Sequence, residues 1–432
     1  MPPSATLRRE VAKKMASLHT LLGIQRAEPG IVDSGLNFEG TMPRPVTIAL
    51  LTDMVNDSAI LSAIDFKRVT HSTGDVRILE FDSPVAHADF ENVDTASPRK
   101  PTSRVVPYTL RKIRADIYFT WEELEQAAED GMTNFEDNIM SMFRQNLSND
   151  LAHLAVRGDT TISAESNDPW DQLLRCTDGL LKHLESANIY DRAGKGPGIG
   201  MFHVFKRSIK SRYLKNPASF RWILNSTVID IWRMAFAHLR QTAEGDRRLS
   251  NETYETPAGI KPFVTDTILD DMGPSSAPTS VSDDADGTMT VRVNSILNDA
   301  TDYSGRQVEI TCKATGLSEK CAVDYNGSSQ NIIETAGSLG QDTISTSASD
   351  YTVKVVDQTE IAFGNPKTFA FLTKDNNWRV AYEYNKDFDR YEYTMRFMVG
   401  SLLPMLDPWA KMKNLTIPQI TDFAEWTGWT SS

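Results

Sequence analysis

Residues 111–159 read RKIRADIYFTWEELEQAAEDGMTNFEDNIMSMFRQNLSNDLAHLAVRGD, and three local signals follow one another within them. Ile113, Ala115, Ile117 and Phe119 alternate with Arg114, Asp116 and Tyr118, the period-2 pattern of a half-buried strand. Thr120-Trp-Glu-Glu123 and Thr133-Asn-Phe-Glu136 then each set a glutamate three residues after a threonine. These are capping boxes, in which each side chain satisfies a backbone N–H at an open helix end. Finally Phe135, Ile139, Met142, Phe143, Leu147, Leu151 and Leu154 form one apolar face, with Arg157 against the dipole and Gly158 at a left-handed cap position. The spacing predicts a single rod over 134–157, about 36 Å long at 1.5 Å per residue.

Upstream, residues 66–119 read as an extended two-limbed ribbon, with a weaker outgoing alternation at Val76, Ile78 and Phe81 and a return limb through Ile113 to Phe119. Pro84, Pro98 and Pro101 cannot donate to a strand ladder, so 82–104 forms a loosely structured tip that reaches outside its own domain. Such a ribbon has nothing within itself to pack against, and isolated hairpins are marginal in water. It needs a neighbour, and further copies of the same chain are the expected one.

Downstream, 167–190 and 201–214 read as amphipathic helices separated by a glycine-rich stretch. A short apolar strand over 220–225 leads to a helix carrying Val228, Ile231, Trp232, Ala235 and Leu239, and the mixture argues for an α+β body. From 270 to 357 the composition changes. Trp and Phe vanish, Ser and Thr abound, and short alternating runs (Met289, Val291, Val293; Val308, Ile310; Tyr351, Val353, Val355) sit between turn residues, as in a small inserted all-β domain, a sandwich. The aromatic alternation Tyr391, Tyr393, Met395, Phe397, Val399 then resumes the interrupted body.

At 432 residues the chain has room for two or three domains and a sizeable core. Its net charge is −13, and residues 270–360 hold fifteen acidic against five basic residues, most of that excess. Residues 1–30 carry five basic side chains (Arg8, Arg9, Lys13, Lys14, Arg26) against Glu10 and Glu28, so the arm is the expected contact for a polyanion, although an ordinary solvated charge run explains it as well. No apolar stretch approaches a membrane span or a secretory core, and the three cysteines do not make a disulfide framework. The chain therefore reads as soluble and unexported.

No catalytic, cofactor-binding or metal-binding residues are expected. Residues 194–200 are glycine-rich but lack the Lys-Ser/Thr of a phosphate loop, and Pro197 removes an N–H that a cradle would use. Residues 283–287 resemble the start of a calcium loop, yet the bidentate-glutamate position falls on Val293. The Arg157-Gly-Asp159 tripeptide reads as a helix cap. The seven histidines show no metal-ligand spacing, and no nucleophile elbow occurs. Cys312 and Cys321 flank a turn at Gly316 and are expected as free thiols, though a hairpin could bring them face to face.

The succession of N-terminal arm, long ribbon, Thr120-Trp-Glu-Glu-Leu-Glu125 helix, rod ending in Arg157-Gly-Asp159, and Glu360-Ile-Ala-Phe-Gly-Asn-Pro-Lys367 followed by an aromatic strand resembles the major capsid proteins of tailed bacteriophages, with the Hong Kong 97 fold. The resemblance implies an N-terminal arm at 1–65, an E-loop at 66–119, and a peripheral domain at 120–168 and 376–403 with the spine helix at 134–157. It further implies an axial domain with the C-terminal segment at 169–269, 358–375 and 404–432, and the β insert at 270–357. It implies a homo-oligomer of hexamers and pentamers in a closed virion shell around double-stranded DNA, assembled in the host cytoplasm with a separate scaffolding protein and a portal, with a decoration protein as a further partner and no membrane. Contacts between copies are then expected at Arg104, Arg111 and Arg114, pairing with Glu123, Glu125 or Glu136 of a neighbour. Arg8, Arg9, Lys13 and Lys14 would face the DNA. Lys100 alone near the ribbon tip is too little to imply a covalent cross-link. A nanocompartment shell of the same fold and a surface adhesin bearing the β domain are the alternatives; an enzyme is the least expected.

Overall fold

The computed structural model describes residues 38–41, 44–80, 101–120, 122, 135–163, 168–192, 194–198, 200–238, 256–284, 288–294, 297, 306–325, 331–335, 339, 344–375, 378–385 and 390–417. The first half runs β1 (Phe38–Thr41), α1 (Arg44–Asp57), α2 (Ala59–Ala63), β2 (Asp65–Val69), β3 (Thr73–Glu80), β4 (Thr102–Thr109), β5 (Arg111–Thr120), α3 (Phe135–Arg157), α4 (Pro169–Leu174), α5 (Leu180–His183), β6 (Asn188–Asp191), α6 (Met201–Lys206), β7 (Arg221–Leu224), α7 (Ser226–His238) and β8 (Pro262–Val264). Strands follow: β9 (Ser275–Ser276), β10 (Ser280–Asp283), β11 (Met289–Arg292), β12 (Gln307–Cys312), β13 (Ser318–Ala322), β14 (Asp324–Tyr325), β15 (Asn331–Glu334), β16 (Tyr351–Val355), β17 (Gln358–Gly364), β18 (Ala370–Lys374), β19 (Arg379–Asn385), β20 (Arg390–Leu402) and β21 (Ala410–Thr416). The chain divides into two units, 1–185 with 365–406, and 186–364 with 407–432.

In the first unit a six-stranded sheet runs β1-β19-β20-β18-β2, with β5 also laid against β20. The aromatic alternation of β20 does what period-2 patterning requires, burying Tyr393, Met395, Phe397 and Val399, and Trp378 stacks flat on Phe397 at 4.4 Å. Leu147, Leu151, Leu154 and Ala155 bury the inner face of α3, which also holds α1 through Ser148 Oγ donating to the Met54 carbonyl (2.6 Å). The predicted rod is therefore present over Phe135–Arg157. The capping boxes at 120–123 and 133–136 are not described in full; of the tip expected at 82–104, residues 82–100 lie outside the described residues, while 102–104 are not loose but paired within β4.

Three local expectations need correction. The return limb of the ribbon is not Ile113–Phe119. β3 pairs antiparallel with β4 (Thr73↔Thr109 through Glu80↔Thr102), while β5 pairs with β20 (Arg111↔Val399 through Thr120↔Arg390). The chain changes sheets at Leu110, which is buried and donates its N–H to the Ser72 carbonyl. Second, 167–190 is not one helix. It breaks after α4 because Asp178 Oδ1 accepts from Thr160 N and Oγ1, and Gly179 N donates to the Gly158 carbonyl at 2.7 Å instead of continuing a helical ladder. Residues 201–214 likewise end their α-helix at Lys206, where i→i−3 bonds take over and Ser208 Oγ caps the Phe205 carbonyl. Third, Gly158 is not among the positive-φ glycines, so a left-handed cap does not explain it. A Cβ there would lie 2.1 Å from the Thr177 carbonyl oxygen, so close backbone approach is what requires glycine.

The second unit contains the sheet β6-β21-β17-β7-β8, whose core is aromatic: Trp222 stacks on Phe363 at 3.9 Å, and Phe202 and Phe205 from α6 close over Trp222. Gly364 lets Trp409 approach to a distance no Cβ would permit. The strands between Ser275 and Val355 pair only among themselves, as β10-β11-β15-β14 and β13-β12-β16-β9, around one buried cluster that includes Val291, Val308, Ile310, Ile333, Tyr351 and Val353. Neither Cys312 nor Cys321 forms a disulfide. They share the β12–β13 hairpin, but Cys321 sits opposite Val308 rather than Cys312, so the hairpin does not bring the thiols face to face.

Candidate assembly surface

The β3–β4 hairpin is a two-stranded sheet by itself. None of its described side chains is buried. Val76, Ile78, Val106 and Tyr108 are half-covered, and Leu79 and Val105 are 69% and 48% exposed. Arg104 lies on β4, exposed and opposite Ile78. Val76, Val106 and Tyr108 pack at the base of the hairpin against the buried Leu110, Ala370, Leu372 and Leu402, while Leu79 and Val105 keep their strand propensity without the packing that normally rewards it.

Beside β5, a groove of about 860 Å³ opens between that strand and helices α3 and α4. Met142 and Tyr118 on its walls are 63% and 58% exposed, and Trp170, edge-on to His153 at 4.8 Å, is 44% exposed. The groove holds one half-buried carboxylate, Asp150, which makes no hydrogen bond or ion pair with any described residue; burial pushes its pKa up. Burial also pushes the Cys176 thiol up, against the opposing pull of Arg175 and Arg111. Along its other edge β5 is paired with no described strand.

The structure distributes the sequence-level candidates unequally. Arg111 is exposed at the start of β5, near Cys176. Arg114 donates to Asp116 of its own chain (2.8 Å), and that hydrogen bond holds its pKa up. Glu123, Glu125, Arg8, Arg9, Lys13 and Lys14 lie outside the described residues, as does the side chain of Glu136. Met142, Tyr118, Trp170 and Asp150 escaped the sequence reading. The only sequence signal for them is that Met142 and Phe143 are consecutive, which makes the apolar stripe of α3 wider than one buried face requires.

Among the described residues no His, Cys, Asp and Glu cluster could hold a metal ion, and no helix is long and apolar enough to cross a membrane. A serine–histidine pair, Ser401 Oγ with His183 Nε2 at 2.8 Å, is turned inward, with the buried Ser401 hydroxyl donating to the Asp178 carbonyl.

This arrangement of sheets and helices is a phage capsid protein fold. The chain of the satellite phage P4 procapsid, a structure that includes the size determination (Sid) protein, superposes with a TM-score of 0.52 at 11% identity, covering 95% of this chain and 98% of that one. Two further similar structures are the capsid of a native GTA particle (TM-score 0.41, 11% identity, 91% and 95% covered) and the holo-SrpI encapsulin complex of Synechococcus elongatus (0.37, 10% identity, 94% and 98% covered). The P4 likeness alone carries the fold statement. No family model matches the chain, and no curated protein matches it by sequence.

Proposed function

We propose that the chain is the structural subunit of an icosahedral shell that encloses the double-stranded DNA of a tailed phage, and that it acts through contacts with copies of itself rather than through catalysis. The observation that carries this reading is the β3–β4 hairpin, a ribbon with none of its described side chains buried and two apolar residues, Leu79 and Val105, turned to solvent. Exposed apolar strand residues that find their packing on a neighbour favour association without being needed for the fold of the single chain. Within the expected 66–119, the β3–β4 hairpin then acts as the E-loop, α3 as the spine of a peripheral domain over 120–168 and 376–403, and the strands of 270–357 as an inserted domain of the axial region. Arg104 and Arg111 are the free cations for pairing with a neighbour's carboxylates; Asp150 in the groove joins Glu123, Glu125 and Glu136 as a candidate acceptor. Arg8, Arg9, Lys13 and Lys14 serve as DNA-facing arm residues, and a scaffolding protein, a portal and a decoration protein as assembly partners.

The test is electron microscopy with light scattering on the chain expressed alone and with a scaffolding partner. Capsomer rings or closed shells tens of nanometres across are expected. A folded monomer that stays monomeric at high concentration under both conditions would sink the reading, and closed shells that retain protein cargo but no nucleic acid would move it to a nanocompartment.

A further inference from the structure

Between Arg192 and Arg221 the sequence holds eight basic residues and not one acidic residue, a denser and purer run than the N-terminal arm. Its members are not equivalent. Arg192 donates to the Gly196 carbonyl, Lys206 to Ala258, and Arg221 to Ala218 and Phe220, so three of the eight cations serve the chain's own loops. Arg212 is oriented by Tyr213, donating to its hydroxyl at 2.7 Å and stacking over its ring at 4.7 Å, while that hydroxyl donates to Asp407. Lys195 is exposed on the loop before α6, and the side chains of Arg207, Lys210 and Lys215 are exposed and make no hydrogen bond or ion pair with any described residue.

Arg207, Lys210, Arg212 and Lys215 are mounted on a fixed base. Along 201–209 the burial follows the helix period: Met201, Phe202, Phe205 and Ile209 enter the aromatic core around Trp222, and His203, Val204 and Arg207 face out. Lys210, Arg212 and Lys215 continue the exposed line within eight residues of Arg207. We infer that the exposed face of residues 203–215 binds the phosphate backbone of duplex DNA, with Arg207, Lys210, Arg212 and Lys215 as the contacting groups. Four exposed cations within nine positions, with one exposed carboxylate beside them in Asp407 behind Tyr213, fit a polymer of regularly spaced anions. The acidic strands of a second copy fit it less well, because their exposed acids Asp283, Asp284, Asp324 and Glu334 are interrupted by exposed Arg292, Lys313 and Lys320. The inference rests on the shell reading only for why DNA should be present; the contact itself is testable on the unassembled chain.

Fluorescence anisotropy of a labelled mixed-sequence 30-base-pair duplex with the full chain, between 50 and 200 mM salt, reads the number of phosphates engaged. Four contacts predict a slope of log affinity on log salt near −3.6, or roughly a 150-fold loss across that range. The variant Arg207→Gln/Lys210→Gln/Lys215→Gln should lower the slope by about 3, and K210Q or K215Q singly by about 1 each. A control of equal charge change at exposed sites elsewhere, Lys261→Gln/Arg292→Gln/Lys320→Gln, should leave the slope alone. Absence of binding by the parent at 50 mM salt, or equal losses in the control and the patch variant, overturns the inference. So does a patch variant that keeps the DNA slope but loses assembly, which would assign the face to a neighbouring copy. Failure of every protein, parent included, to assemble overturns the shell reading and leaves the DNA result standing.

Discussion

Gly158 and His183 show how single residues hold the first unit together. Gly158 N closes α3 on Leu154, its carbonyl receives Gly179 N, and the next residue donates to Leu174, so three segments meet where there is room for no Cβ. Gly158→Ala should destabilise the chain by about 2 kcal/mol, the usual scale of overpacking, measured as a shift in urea midpoint with m unchanged. The arginine and aspartate flanking it advertise a tripeptide motif, but Asp159 is spent on Thr161 and Lys182, and those bonds hold its pKa down despite burial. His183 is governed by burial, which lowers its pKa; the charge of Asp178 opposes that pull without overcoming it. A histidine whose folded pKa is depressed contributes stability that is fully present above its ordinary value of about 6.5 and is lost as pH falls through the folded value. Thermal stability should therefore decline on acidification below about pH 6.5. His183→Gln, which can still bond Ser401, should flatten that part of the profile in calorimetric scans at pH 5 to 8.

At the scale of elements, the strand β5 illustrates what a sequence can and cannot say. The alternation of Ile113 to Phe119 makes it a strand, and that is what it is, but a period of two specifies a face and not a partner. Its partner β20 lies some 280 positions away, and only the buried break at Leu110 separates it from the hairpin. The rod α3 was legible because a 23-residue amphipathic helix repeats its signal over many turns, whereas α4, α5 and α6 are four to six residues long and owe their ends to Asp178, Gly179 and Ser208 bonding elsewhere. The groove beside β5 was not legible at all, since it is bounded by three elements, its exposed Met142 and Trp170 read as ordinary core residues, and Tyr118 read as part of the outward face of a strand. For the hairpin, folding and association should separate cleanly. Leu79→Asp with Val105→Asp replaces exposed side chains, so the unfolding midpoint should move by no more than about 0.5 kcal/mol. Sedimentation should nonetheless show assembly abolished; a large loss of stability with assembly intact would contradict the hairpin's proposed role.

For the molecule as a whole, charge is segregated by segment: a net of −10 over 270–360, and an acid-free basic run over 192–221. The segment from Ser275 to Val355 also enters and leaves at one place. Val355 N bonds the Pro274 carbonyl and Met272 N the Gln358 carbonyl, and Arg306 forms a bidentate pair with Asp357 at that base. With its own buried cluster of sixteen residues, an isolated 271–358 fragment should fold alone and melt in one cooperative transition by circular dichroism. A non-cooperative melt would show that it borrows stability from the rest of the unit. The hairpin has the opposite character and a different consequence. Among the described strands β3 and β4 pair only with each other, so each presents a row of amide and carbonyl groups along its outer side to which no described strand is bonded. Newly made chains therefore face a race between orderly capture and tangling, strand on strand, into amyloid-like aggregates. Slow synthesis at low temperature should favour recoverable particles, and overproduction should favour inclusion bodies.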